Sequence, residues 1–523
     1  MGNPAGNAVV IGAGVNGLAA AVMLAQSGRR VHVLERGSTT AGQAAAHEFA
    51  PGFRTAPLGL DAGWLSPAVV RALGVEAPAL VHPACPITVW DGDGQWLELH
   101  RNPEVAAQAI RRYSHRDAGK WAGFCQRLQK LAGFLGAMYQ LSPPDVEETR
   151  VGELLPLLRL AGQLRRLGKT DMVELLRTVP MAVQELLDDW FESDALKAAV
   201  GAVGVSGIRQ GPRSGGTAFV LLHHLVGTAP GEGAMGRGGS AYWAAGPDSL
   251  AEVLLQRGRG LGVEVRPGVR VAEIMVSNDR VTGVRLENGE PIPAGLVLSS
   301  ADPVQTIRDL VDPVWLDPEL LLAVRNIKLR GSTTVISYAM GGLPEPLRSR
   351  TGALSLAPTL EALERGADAA KYGAASDSPC VMLRVPSLRW AGFAPPGRHV
   401  VVAEAQWTPR RLRSGEWDSN RRTELGERVA QAIEQAVPGF GEQIIGQEVL
   451  TPADLEARYG ITDGAPSHGE MTLDQILFMR PVPALARYAT PIMGLYLCGS
   501  GSHPGPGIPG APGWLAARAA VKG

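Results

Sequence analysis

The chain has 523 residues, with 50 Lys and Arg against 51 Asp and Glu, and 45% of it is hydrophobic. That length exceeds what one core keeps growing to fill, so at least two domains are expected, and a formal net charge of −1 gives no electrostatic basis for binding nucleic acid. The four cysteines, Cys85, Cys125, Cys380 and Cys498, lie far apart and form no CxxC, which argues against a redox-active disulfide, a disulfide framework and a zinc cluster.

The first expected element is a strand over Ala8-Val9-Val10-Ile11. It runs into Gly12-Ala13-Gly14-Val15-Asn16-Gly17, an apolar helix to Ala25, and a second strand, Val31-His32-Val33-Leu34, that ends on Glu35. This is the order of a dinucleotide-binding βαβ unit. Gly12 allows the tight turn, Gly14 lets a pyrophosphate approach the backbone, and Gly17 lets helix and strand pack closely. The helix N-terminus offers N–H groups and a positive dipole end to phosphates. Glu35 is placed to accept hydrogen bonds from the adenosine ribose, and an acid there disfavours a 2′-phosphate.

Glycine is 65 of 523 residues, so a bare GxGxxG is expected by chance about once in such a chain, and context must decide. Two further copies occur. Gly231-Glu232-Gly233-Ala234-Met235-Gly236 follows a Thr-Ala-Pro loop, and Gly505-Pro506-Gly507-Ile508-Pro509-Gly510 is interrupted by prolines. Neither has a strand before it and a helix after it in the required βαβ order. With the first strand starting near Ala8, no room is left for a signal peptide, and no apolar run reaches the roughly 18 residues of a membrane span. The chain therefore reads as soluble and cytoplasmic.

After the βαβ unit, Ala41 to Ala44 and Pro51 to Arg54 carry loop chemistry. From about Asn102 to Val200 the pattern is helical. Leu154, Leu157, Leu158, Ala161, Leu164 and Leu167 recur at helical spacing, with Arg159, Arg165, Arg166 and Lys169 among them. A core-facing helix with a basic solvated face explains this pattern; the sharper alternative is an amphipathic surface for peripheral membrane contact or for the entrance of an apolar substrate.

A second strand-rich part begins near Ala245, with a helix over Ser249 to Arg257 and strands at Val263 to Arg266, Arg270 to Ile274 and Val281 to Leu286. Turns are expected at Asn278-Asp279 and Asn288-Gly289, and Leu296 to Ser299 reads as a buried strand. Thr333 to Met340, Cys380 to Val385 and His399 to Ala403 suggest another sheet, followed by a helix over Arg421 to Ala436. The last segment is a short apolar strand, Gly494 to Gly499, that enters the glycine-proline loop and an alanine-rich helix to Val521. A helix starting near Pro509 or Gly510 would aim its first N–H groups at the pole of a bound ligand where negative charge builds.

Together these segments resemble the phytoene desaturase-like FAD-dependent oxidoreductases. The resemblance rests on the N-terminal fingerprint, Gly238-Gly239 to Leu250, the Val263 to Ile274 strands, Ser300-Ala301-Asp302-Pro303 and His503-Pro504-Gly505. His468-Gly469-Glu470-Met471-Thr472-Leu473-Asp474-Gln475, with Phe478, Arg480, Pro481 and Gly510-Ala511-Pro512-Gly513, looks most like the branch containing pyridine nucleotide-disulfide oxidoreductase domain-containing protein 2. The fold class it implies is α/β: a Rossmann-type (GR2/amine oxidase-like) FAD-binding domain built from discontinuous segments, beside a mixed sheet-plus-helix substrate domain. The FAD-binding domain would comprise 1–75, 236–305 and 485–523; the substrate-binding domain, with a helical lid, 76–235 and 306–484.

The implied FAD site takes Gly12, Gly14, Val15, Asn16, Gly17, Glu35 and Arg36 for the ADP half, the backbone of Val271 for the adenine, and Gly499, Ser500, Gly507, Ile508, Pro509 and Gly510 for the ribityl chain and flavin. Gly42 and Gln43 complete it at two departures from the family: Ala41-Gly42-Gln43 stands where relatives usually have two glycines and Arg, and Gly499-Ser500-Gly501 where many have an acid.

With FAD bound, the simplest chemistry is hydride transfer from a C–H or amine-bearing carbon to flavin N5, with loss of a neighbouring proton. His503, His468 and Glu470 are the candidates to take that proton. His223-His224 lacks a carboxylate or cysteine at matching spacing, so no metal is expected. The resemblance and the leucine-rich region favour a hydrophobic small-molecule substrate and desaturation. An amine oxidase, a redox-neutral isomerase using reduced FAD, and a non-catalytic flavin-binding protein remain open as alternatives. Oxygen and a quinone remain open as electron acceptors, and the residues do not fix the oligomeric state.

Overall fold

A computed structural model describes residues 6–144, 151–229, 232–233 and 240–522. The second glycine pattern apart from Glu232 and Gly233, the Gly238-Gly239 turn and the side chains of Leu154, Leu157 and Arg159 lie outside these described residues or side chains.

Strand β1 (Asn7–Ile11), helix α1 (Val15–Gln26) and strand β2 (Arg30–Leu34) form the expected βαβ unit. They sit in a five-stranded parallel sheet whose spatial order is Leu495–Leu497, Leu296–Ser299, β1, β2 and Glu264–Arg266. Ala8 pairs with Leu296 and Val10 with Leu298, so a strand almost 290 residues away lies directly against the first. β1 is apolar along its length because both faces are covered. Ala8 and Val10 join the core under α1 and the C-terminal helix Ala511–Lys522, while Val9 and Ile11 face a second core under an antiparallel three-stranded meander.

That meander comprises Val271–Ser277, Arg280–Leu286 and Pro291–Pro293. Its first turn places Asn278 and Asp279 at φ 51° and 56°, the left-handed pair that a tight two-residue hairpin requires.

The remaining chain builds a seven-stranded sheet in the order Ile444–Leu450, Thr333–Met340, His399–Gln406, Val381–Arg384, Ala353–Ser355, Ile87–Trp90 and Trp96–Leu99. All neighbours are antiparallel except Ala353–Ser355 with Ile87–Trp90. Both insertions into the Rossmann unit thus supply strands to one sheet. Helix Ser419–Ala436 packs on it through Leu425, Val429 and Ile433. Helices over 103–138 and 183–225 form a cap around buried Trp121, Phe124 and Phe191.

The structure differs locally from the sequence reading. The stretch read as loop contains a hairpin, His47–Ala50 with Phe53–Thr55, turned at Gly52 with φ 78°. Ile87–Trp90 and Trp96–Leu99 are strands that alternation did not single out. Helix Val151–Thr178 is interrupted at Gly168, where φ is 81°; Leu164 and Leu167 pack on the core, whereas Leu158 and Leu176 are exposed. No helix among the described residues is long and apolar enough to cross a membrane.

Candidate functional site

One cavity of about 1050 Å³ runs from the glycine turn, past the C-terminal loop, to the seven-stranded sheet. That volume lies at the upper end of the roughly 300–1,000 Å³ usual for ligand pockets. Gly12, Gly14, Glu35 and Val271 line one part, Ser500, Gly507 and Pro509 the middle, and Thr333, Glu404 and Gln406 the far floor.

The turn is built as its glycines demand. Gly12, at φ 93°, donates its N–H to the Leu34 carbonyl at 2.8 Å, and a Cβ at Gly17 would overlap the Gly12 carbonyl oxygen. Gly14 caps α1 without any side-chain cap, leaving that helix end to the cavity. Gly42 lies against it, since a Cβ on Gly42 would come within 3.2 Å of the Gly14 Cα.

Glu35 accepts N–H groups from Ala13 and Gly37, each at 2.7 Å. It therefore clamps the turn as well as lining the cavity, and a carboxylate retains lone pairs for a ribose hydroxyl. Val271 lies beside it, because Val269 N–H donates to the Glu35 carbonyl at 2.8 Å. Arg36 donates to the carbonyls of Ala457 and Arg458 at 3.0 and 2.8 Å. It caps the end of helix Pro452–Tyr459 at the cavity wall, and burial together with Arg270 holds its pKa below the ordinary value.

The two ends of the chain meet at Asn16. Its Nδ2 donates to the Ser500 hydroxyl at 3.1 Å, and its Oδ1 accepts the Gly510 N–H at 2.9 Å. Gly510 does not line the cavity, and helix Ala511–Lys522 begins one residue later. The expectation that the Gly510 N–H points at a flavin is thus corrected, because α1 takes that donor. Gly499 also lies back from the cavity, where a Cβ would collide with the Ser300 carbonyl. Ser500, Gly507, Ile508 and Pro509 do line it.

The three proton-acceptor candidates fare differently. His503 is fully buried and does not line the cavity. Burial pulls its pKa down to about 4, and its ring packs edge-on to Tyr139 at 5.9 Å. Glu470, 2% exposed, accepts the Arg209 N–H at 2.7 Å and the Arg330 Nε at 2.7 Å. Neither residue lines the cavity, so neither side chain faces the space where a substrate would sit, and Glu470 is engaged by Arg330. His468 lines the cavity. Its Nε2 lies 3.2 Å from the Gln43 amide nitrogen, which also donates to the Pro466 carbonyl at 3.1 Å. Its Nδ1 is buried without a hydrogen-bond partner. Burial, reinforced by Arg480 and opposed by Asp302, holds the imidazole below its ordinary pKa.

His223 is also structural. The Tyr139 hydroxyl donates to its Nδ1 at 2.8 Å, so its Nε2 carries the proton given to the Pro506 carbonyl at 2.8 Å. This chain of bonds fixes the loop beside the cavity from the helical cap.

Comparison with known proteins agrees with this geometry. Residues 10–72 match the NAD(P)-binding Rossmann-like domain family. Over 545 residues the chain is 32% identical to pyridine nucleotide-disulfide oxidoreductase domain-containing protein 2 of Rattus norvegicus, covering 98% of this chain and 93% of that protein. The chain belongs to the family of pyridine nucleotide-disulfide oxidoreductase domain-containing protein 2. A lycopene-forming phytoene desaturase of Pseudescherichia vulneris is 24% identical, over 96% of both chains. A triple mutant of putrescine oxidase shares the fold at a TM-score of 0.60 and 14% identity, over 99% of this chain and 98% of that one.

The word disulfide in the family name has no counterpart in the thiols of this member. All four cysteines are free, and burial pushes the Cys85 and Cys380 thiols up to about 11 and about 12, away from the thiolate that exchange chemistry needs. The sequence reading did not find the cavity floor. Arg384 and Arg389 converge on Asp61 at 2.8 and 3.0 Å, and Arg384 reaches Glu404 at 3.2 Å. Positions more than 300 residues apart gave no local signal for this cluster.

Proposed function

We propose that this chain, an oxidoreductase by family, uses FAD to dehydrogenate a mainly apolar small molecule that carries a polar group. The observation that carries the reading is the single cavity joining the dinucleotide turn to the seven-stranded sheet. A dinucleotide alone does not require the second part, and a substrate does. The residues fit the cofactor: an uncapped helix end for the pyrophosphate, Glu35 for the ribose, and the Gly507 to Pro509 loop beside the middle of the cavity. When bound, FAD supplies the acceptor for hydride.

The chain's own residues orient the substrate and handle one proton. Ile208, Val220, Trp243 and Val335 offer apolar surface, whereas Thr333 and Gln406 offer polar contacts. Glu404 is matched by Arg384, so it is not a free counter-ion for an ammonium group, which favours desaturation over amine oxidation. His468 is the candidate base that faces the cavity, and it is held neutral for accepting a proton.

The test is an absorbance spectrum of the purified, FAD-reconstituted protein, followed by anaerobic addition of candidate substrates. A flavin spectrum that bleaches with an apolar alkene or alkane precursor supports the reading. Bleaching by amines alone moves the assignment to amine oxidation, and the absence of bound flavin ends it.

A further inference from the structure

Arg480 is 1% exposed. Its guanidinium donates to four backbone carbonyls: Ser500 at 2.8 Å, Ser467 at 2.8 Å, Gly469 at 3.1 Å and Gln475 at 3.2 Å. It also lies 3.4 Å from the Met471 sulfur. No carboxylate among the described residues lies within ion-pair distance of it. Nearby Glu470 is taken by Arg330, and Asp302 accepts from Thr462 at 2.8 Å. Burial lowers its pKa to about 10, so it stays charged at neutral pH.

A buried charge without a counter-charge is costly, because carbonyl dipoles solvate it without cancelling it. Its field in a low-dielectric interior reaches further than in water. Ser467, Met471 and Ser500, three of the groups around it, line the cavity. Among the described residues nothing cancels this charge, and the cavity is the side from which a bound anion would do so. On the reading that FAD binds there, isoalloxazine that gains two electrons and one proton acquires one negative charge.

We propose that Arg480 is a positioning residue whose uncompensated charge favours the reduced, anionic flavin and so raises its reduction potential. The pyrophosphate of FAD is also anionic, but its charge does not change on reduction. An interaction with it alters affinity for both redox states and leaves the potential unchanged.

The experiment measures FAD affinity and midpoint potential for the reconstituted wild type and for Arg480→Met, Arg480→Lys, Met471→Glu and Met471→Gln. Arg480→Met is expected to weaken binding of reduced relative to oxidised FAD tenfold or more, a fall of about 30 mV for a two-electron couple. Arg480→Lys keeps most of the wild-type potential. Met471→Glu, which sets a carboxylate against the same guanidinium, lowers the potential likewise, and Met471→Gln does not. If the Arg480 variants fail to fold, the Met471 pair decides. Unchanged potentials in Arg480→Met and Met471→Glu, with or without a loss of affinity, overturn the proposal. A wild type that holds no FAD overturns the cofactor reading instead.

Discussion

Asn16 accepts the backbone N–H of Gly510 at 2.9 Å across 494 residues of sequence. With the bond to Ser500, one amide on the first turn of α1 fixes the loop that walls the middle of the cavity. Asn16→Ala leaves the Gly510 donor without its acceptor, at a cost of about 1–3 kcal/mol. The expected result is a lower denaturation midpoint and a several-fold faster loss of FAD, followed by urea titration and flavin fluorescence.

Helix Ala511–Lys522 lies so close to α1 that a Cβ at Gly513 would overlap the Asn16 carbonyl. Gly513→Val is expected to force the helices apart and destabilise by about 1–3 kcal/mol, as overpacking does. Gly133→Val, exposed on a helix with no positive φ and open space around its Cβ position, controls for the added bulk. A Gly513 variant as stable as wild type in chemical denaturation would contradict the packing described.

His468 has a pKa below 6.5, so its neutral form prevails at pH 7 and persists as the pH falls through 6.5. If it takes the substrate proton, the acid limb of kcat/KM lies below pH 6.5 and is absent in His468→Gln, which is expected to turn over about 100-fold or more slowly. A pH profile of the same shape in both proteins assigns the limb elsewhere.

His503 has its pKa lowered from 6.5 to about 4 in the fold. The unfolded chain therefore binds more protons between these values, and stability is lost as the pH falls from about 6.5 to about 4, by about 3 kcal/mol at most. His503→Asn is expected to flatten that dependence in denaturant midpoints measured across the window. An equally steep fall in the variant would locate the proton uptake at another group.

Glu470→Gln keeps an acceptor for the Arg209 N–H but weakens the charged bond to Arg330. The expected cost is about 1–3 kcal/mol in stability, with the pH profile of turnover unmoved. A lost limb in that profile would return Glu470 to the reacting groups.

Local rules made the βαβ unit legible. Gly12 is required by its own positive φ and Gly17 by the Gly12 carbonyl five residues before it, and β1 shows its double burial as an unbroken apolar run. The turns at Asn278-Asp279 and Gly289 were legible for the same reason. The catalytic candidates were not, because polarity near a glycine loop does not say which way a side chain faces. His503, three residues from the cavity-lining Pro506, turns into the core beside Tyr139. His468 turns outward at φ 54°. Asp61, Arg384 and Arg389 are distant in sequence and meet only through the pairing of the large sheet with the first loop.

The seam between α1 and the C-terminal helix bears on how this protein is made. Residue 16 leaves the ribosome early, but Ser500 and Gly510 are made 484 and 494 residues later. Until then, the βαβ unit lacks a wall of its cavity and the core under α1 lacks its covering helix. A chain broken off before residue 510 therefore forfeits both the wall and the covering helix, and under the FAD reading it is expected to hold the cofactor weakly.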